Sequence, residues 1–102
     1  MDKIAALTEI LTQNPGDAFA RYGLAMAYAA DGRQPEALSE FDKIIAATPD
    51  YVPAYQISAQ ELLKAGRTED ARARLEAGLA AASRSGNAHA ASEMQAMLDD
   101  LG

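Results

Sequence analysis

Few side chains in this sequence could do covalent or metal chemistry. His89 is the single histidine of the 102 residues, and Ser92 and Glu93 follow it closely. Acyl transfer needs a nucleophile held against a base, with a third group orienting the base. These three residues lie within about one turn of a helix, and that spacing does not place them so. Helix packing is the expected role of His89. Asp99 and Asp100 set two carboxylates side by side, as a hard cation requires, but adjacent carboxylates near a chain end are expected to stay solvated. There is no cysteine, which excludes disulfides, thiolate zinc sites and iron–sulfur clusters. Metalloprotease, phosphate-loop and dinucleotide motifs do not occur. The expectation is no catalytic residue, no cofactor and no metal. An enzyme or a small-ligand-binding protein is the distant alternative.

Charge narrows the partners. The net charge is −6 and the basic residues are scattered. Arg67, Arg72 and Arg74 form the one local group, and Glu69, Asp70 and Glu76 lie among them. That mixture is a solvated helix surface, not a nucleic-acid patch, so no nucleic acid is expected. The longest apolar run, Leu24 to Ala30, falls far short of the roughly 20 residues that cross a bilayer, so no membrane is expected either. Met1-Asp2-Lys3-Ile4 is not followed by the sustained apolar stretch of a secretion signal. A cytoplasmic location is the expectation.

Any binding residue must be positioned by helices. Leu, Ile, Val and Phe number only 18, while alanine numbers 24. A single valine argues against a sheet. Alanine is the best helix former, so the composition leaves a closely packed helical domain or a disordered chain. Periodicity chooses the first. Ile4, Leu7 and Leu11 share one helical face, as do Leu24 and Tyr28, Leu38, Phe41 and Ile45, and Leu75 and Leu79. Breaks fall at Asn14-Pro15-Gly16, Asp31-Gly32, Thr48-Pro49-Asp50, Ala65-Gly66 and Ser83 to Asn87. Six helices are expected, near 2–13, 18–31, 35–47, 52–65, 69–83 and 87–101. Asp17 and Asp50 are expected to cap the second and fourth.

The breaks repeat. Residues 18–51 and 52–85 share seven identities over 34 aligned pairs, with Gly32-Arg33 recurring as Gly66-Arg67. Tyr28/Leu62, Phe41/Leu75 and Ile45/Leu79 are apolar matches in the same register. A two-helix unit of this period implies a stack of repeats. The unit resembles the tetratricopeptide repeat, whose pattern is W-x2-L-G-x2-Y, then A-x3-F, then P. Leu24, Ala25, Tyr28, Ala37, Phe41 and Pro49 fall on that pattern, and Arg21 departs at the tryptophan place. In the next unit Tyr55, Ala59, Leu62, Ala71 and Leu75 follow, while Ser58 and Ser83 depart. Residues 1–17 resemble a second helix alone and 86–102 a first helix alone. Lys3 and Glu93 stand where full units carry the small residues Ala37 and Ala59. The chain thus reads as one domain, 1–102: an N-terminal half-repeat (1–17), two full repeats (18–51 and 52–85) and a C-terminal half-repeat (86–102).

The resemblance implies an all-α, right-handed α-solenoid of antiparallel helix pairs, and a concave groove lined by first helices. The groove set is Phe19, Tyr22 and Met26 with Ala29, then Gln56, Gln60, Leu63 and Lys64, then Ala90, Met94 and Met97. Some family members clamp a chaperone's C-terminal carboxylate with Lys, Asn and Arg. Tyr22, Met26 and Gln56 occupy places where that clamp needs Lys and Asn, so this ligand is not expected. A mostly apolar, Met-bearing groove suits another protein's peptide or amphipathic helix. The implied function is a non-catalytic protein–protein interaction module, a scaffold of acidic character. The alternative is homo-oligomerisation, including a homodimer, through the groove or the C-terminal helix. In that helix Ala91, Met94, Leu98 and Leu101 make one stripe and Ala90, Met94 and Met97 another, and no later helix covers the second.

Overall fold

The computed structural model describes residues 2–102. Six helices follow one another: α1 Lys3–Gln13, α2 Ala18–Ala30, α3 Gln34–Ala47, α4 Val52–Lys64, α5 Thr68–Arg84 and α6 Ala88–Leu101. The fold is all-α, with no strand among the described residues. No helix among them is long and apolar enough to cross a membrane. The chain forms two compact units, one ending at Thr48 and one beginning at Pro49.

The turns show why the helices stop where they do. Gly32 and Gly66 both adopt φ +75°, where a side chain is strained. That conformation lets the next amide reach back: Arg33 N–H donates to Tyr28 O and Arg67 N–H to Leu62 O, each at 2.9 Å. These bonds satisfy carbonyls that the helix end leaves open. Gly86 (φ +66°) makes the same turn before α6, with Asn87 N–H donating to Ala82 O at 2.9 Å, and the turns after α1 and α3 use proline. Asn14 and Thr48 precede Pro15 and Pro49 and have nearly the same backbone, φ −142° and ψ 80° against φ −136° and ψ 75°. A residue before proline is kept out of the helical region, so both helices end there. The third position in this register holds Ser83 instead, and α5 runs on to Arg84.

Starts were less well anticipated. Asp2, Asp17 and Asn87 accept from the amides of Ala5 (2.8 Å), Ala20 (2.9 Å) and Ala90 (3.1 Å). Asp50 is not the cap of α4. Tyr51 holds that position without a side-chain bond, and Pro53 lies in the first turn. Asp50 accepts instead from Arg84 Nε at 2.8 Å.

In the N-terminal unit α2 packs on α1 and on α3. Leu11, Ala20 and Leu24 form a buried cluster, flanked by Ile4, Leu7 and Tyr28. Between α2 and α3 the Tyr22 ring meets the buried Phe41 ring edge-on, with centroids 6.1 Å apart. Arg21 pairs with the buried Glu40 at 2.7 Å, and its other amino group donates to Pro15 O at 3.2 Å. A start-of-α2 residue meeting the middle of α3 across a tight turn makes the pair antiparallel. In the C-terminal unit α5 packs on α4 and α6, and α4 also touches α6. Here Tyr55, 34 positions after Arg21, donates its hydroxyl to Pro49 O at 2.6 Å. An arginine can therefore fill the tryptophan place, because the anchoring carbonyl recurs in register. Ser58 is buried and satisfied: it donates to the Ala54 carbonyl and accepts from Arg74 Nη1 at 2.9 Å. Ala25, Ala37, Ala59 and Ala71 have no exposed surface at all. Small side chains at these places let paired helices approach closely.

Candidate functional site: an apolar docking surface

Among the described residues, helix α2 carries the most exposed large apolar side chain. Phe19, in its first turn, is 78% exposed, and Met26 is 37% exposed. Seven residues put them two turns apart on one helix face. Tyr22 lies between them on that face, but it is half-buried and its ring is committed to Phe41. It is therefore a support for the surface as much as a contact.

Met26 also lines an open cleft of about 820 Å³. The start of α1 (Asp2, Lys3, Ile4, Ala5) forms one wall, and the end of α2 with its turn (Met26, Ala27, Ala30, Asp31, Arg33) forms the other. The walls are apolar and the rim carries two acids and two bases. Arg33 is held in place: its Nε donates to Glu36 at 2.9 Å and its guanidinium lies 4.7 Å from the Tyr28 ring centroid. The side-chain hydrogen bond with Glu36 raises the pKa of Arg33, and the same bond lowers that of Glu36.

The remaining groove candidates belong to the C-terminal unit. Gln60 is exposed, and Gln56, Leu63 and Met97 are half-buried. Met94 is fully buried, so it is a core residue and leaves the surface set. The cause is Gly78. A Cβ there would lie 2.5 Å from Met94 Sδ and 2.8 Å from Tyr55 Cβ, so the thioether fills the space that the glycine leaves open. The apolar outer stripe expected on α6 is also absent. Ala90 and Met94 are buried, and Ala91, Met97, Leu98 and Leu101 are half-buried. The exposed residues of α6 are mainly polar: His89, Ser92, Glu93, Gln95, Asp99 and Asp100.

His89 does not pack between helices. Its side chain is 87% exposed and lies 3.3 Å from Glu93. The position that Arg21 and Tyr55 use to reach a loop carbonyl is filled here by a shorter side chain, after a turn without proline. Among the described residues no group of three or more His, Cys, Asp or Glu could hold a metal ion. Asp99 accepts from Gln95 Nε2 at 3.0 Å.

Sequence reading missed the wall formed by α1. Ile10 is 45% exposed, whereas Ile44, 34 positions later, is 1% exposed.

A tetratricopeptide-repeat family profile matches residues 4–61. No curated protein matches the chain. Solved structures do. A tetratricopeptide repeat domain protein from Salinibacter ruber is 28% identical, with 86% of this chain and 89% of that one covered and a TM-score of 0.82. The TPR2B domain of yeast Sti1, solved in complex with pHsp70, is 26% identical over 96% of this chain and 78% of that one, with a TM-score of 0.88. A protein of Bordetella parapertussis is 27% identical over 99% and 88% of the two chains, with a TM-score of 0.83.

Proposed function

Because the chain belongs to the tetratricopeptide-repeat family, we propose that it is a non-catalytic protein-binding module whose main contact surface is the α2 face of its N-terminal unit. The observation that carries this reading is Phe19: a phenylalanine left 78% exposed on a well-formed helix, two turns from an exposed methionine that lines an apolar cleft. Exposed aromatic and Met side chains in such a setting are the usual anchors of a protein interface. The ligand is a peptide or amphipathic helix with apolar residues spaced to meet Phe19 and Met26, with Tyr22 holding the surface in place. Gln56, Gln60, Leu63 and Met97 offer a second, more polar surface on the C-terminal unit. The complex of yeast Sti1 TPR2B with pHsp70 supports a protein partner for this fold. A cytoplasmic setting is part of the same proposal.

The test is affinity capture from the native cell, read by mass spectrometry. Phe19→Ala combined with Met26→Ala is the chosen variant, since Tyr22→Ala would also disturb Phe41. The expected result is loss of the captured partner with an unchanged helical circular dichroism spectrum. Undiminished capture by the folded double variant would remove the α2 face from the proposal.

A further inference from the structure

Helix α2 turns no charge to solvent. Its sequence, Ala18 to Ala30, contains one charged residue, Arg21, and that guanidinium is engaged by Glu40 of α3 at 2.7 Å. The residues that α2 exposes are Phe19, Met26 and Ala30, all apolar. They stand at i, i+7 and i+11 and so form one stripe along the helix. We propose that this stripe is covered by α2 of a second copy of the chain, in a closed two-fold dimer. The dimer shares its surface with the proposed function but does not rest on it.

Two observations choose a second copy as the occupant. The first is charge. Each chain carries a net −6, so two copies repel one another across most of their surfaces. The α2 stripe carries no charge, and the rim of the cleft beside it sets two acids, Asp2 and Asp31, against two bases, Lys3 and Arg33. Like chains can meet there without electrostatic penalty, and a partner of opposite charge finds nothing on the stripe that selects it.

The second is shape. Phe19 stands out of the surface, 78% exposed. The cleft lies at the other end of the same stripe, where Met26 and Ala30 line it. A knob and a hole on one stripe, about 10 Å apart at 1.5 Å per residue, are what a two-fold axis exchanges. With the two α2 helices antiparallel and the axis between Tyr22 and Gly23, Phe19 of each copy lies over Met26 of the other. Its ring then enters the cleft against Ile4 and Ala27. Both contacts form together, and no knob or hole is left over for a third copy. Every residue used belongs to the N-terminal unit, so the pairing is defined within that unit alone.

The experiment is sedimentation equilibrium of the full chain from low micromolar to millimolar protein. The wild type should approach the mass of a dimer and stop there. Phe19→Ala should weaken pairing about a hundredfold, because the symmetry removes two anchors at about tenfold each. Ala30→Lys, at an exposed helical position, lays a charged stem across the cleft and should weaken pairing to a similar degree. The first variant keeps the hole and lacks the knob, and the second keeps the knob and lacks the hole. Mixed, they regain one of the two contacts, so the mixture should pair about tenfold more tightly than either variant alone. Circular dichroism confirms that each variant is folded. A monomer at every concentration overturns the proposal and leaves the α2 face to another protein. Growth beyond a dimer overturns it, as does a dimer indifferent to Phe19→Ala or a mixture that pairs no better than its components. Failure of the wild type to capture any partner would remove the proposed function and leave these masses unchanged.

Discussion

The N-terminal and C-terminal units share a helix-pair design and differ in how completely they use it. The C-terminal unit leaves none of its large apolar side chains exposed and satisfies its buried polar ones. Met94 fills the gap at Gly78, and Ser58 is bonded to Arg74. The N-terminal unit leaves Ile10, Phe19 and Met26 exposed beside an open cleft. Interior packing stabilises, and exposed apolar surface costs stability unless something binds it. On the proposed function, recognition falls mainly to the N-terminal unit.

Two glycines test this contrast most directly. Gly78→Ala should destabilise the protein, because the new methyl would meet Met94 Sδ at 2.5 Å and Tyr55 Cβ at 2.8 Å. The thioether can swing aside, but the stem of Tyr55 cannot move without its helix. Overpacking of this kind costs about 1–3 kcal/mol, which exceeds the helix-propensity gain of roughly 1 kcal/mol. A lower urea midpoint is the expected result, and an unchanged one would mean that the C-terminal unit is looser than described. Gly23→Ala should do the opposite. Its Cβ would sit 3.5 Å from both methyls of Leu7, an ordinary contact. The propensity gain of up to about 1 kcal/mol should then appear as a higher midpoint. A loss of stability would show that α1 and α2 are packed as tightly as α4 and α5.

The smallest effect concerns the rim of the cleft. Its hydrogen bond with Arg33 lowers the pKa of Glu36 in the folded state. A lowered carboxyl pKa contributes stability that is present above the ordinary glutamate value and is lost as pH falls through the folded one. Urea midpoints of wild type and Glu36→Gln should therefore differ slightly at neutral pH and converge in acid. Because both groups are exposed, added salt should shrink the difference. A difference that persists in acid would assign the effect to packing instead.

Much of the architecture was legible because its signals are local. Asn14-Pro15 and Thr48-Pro49 end helices through the sterics of a single bond. Gly32 and Gly66 turn the chain through a conformation that other residues avoid. The crossing alanines were legible because a recurring small residue in register has few other uses. The misreadings share one cause. Asp50 suits a helix cap by type, yet Arg84, 34 residues away, claims its carboxylate. His89 stands in the register of Tyr55, yet the turn before α6 lacks the proline that Tyr55 and Arg21 reach back to.

What the sequence determined by itself is the periodic scaffold: six helices, their turns and the places where pairs cross. Spacing and residue type act within a few residues, and they suffice for this. Which apolar side chains face solvent was decided only by tertiary structure. Ile10 and Ile44 have the same type and the same register, yet one is 45% exposed and the other 1%. Phe19 and Met94 both sit on first helices, yet one is 78% exposed and the other is fully buried. Burial belongs to the space between elements, and the contents of that space are set by residues far away in the chain.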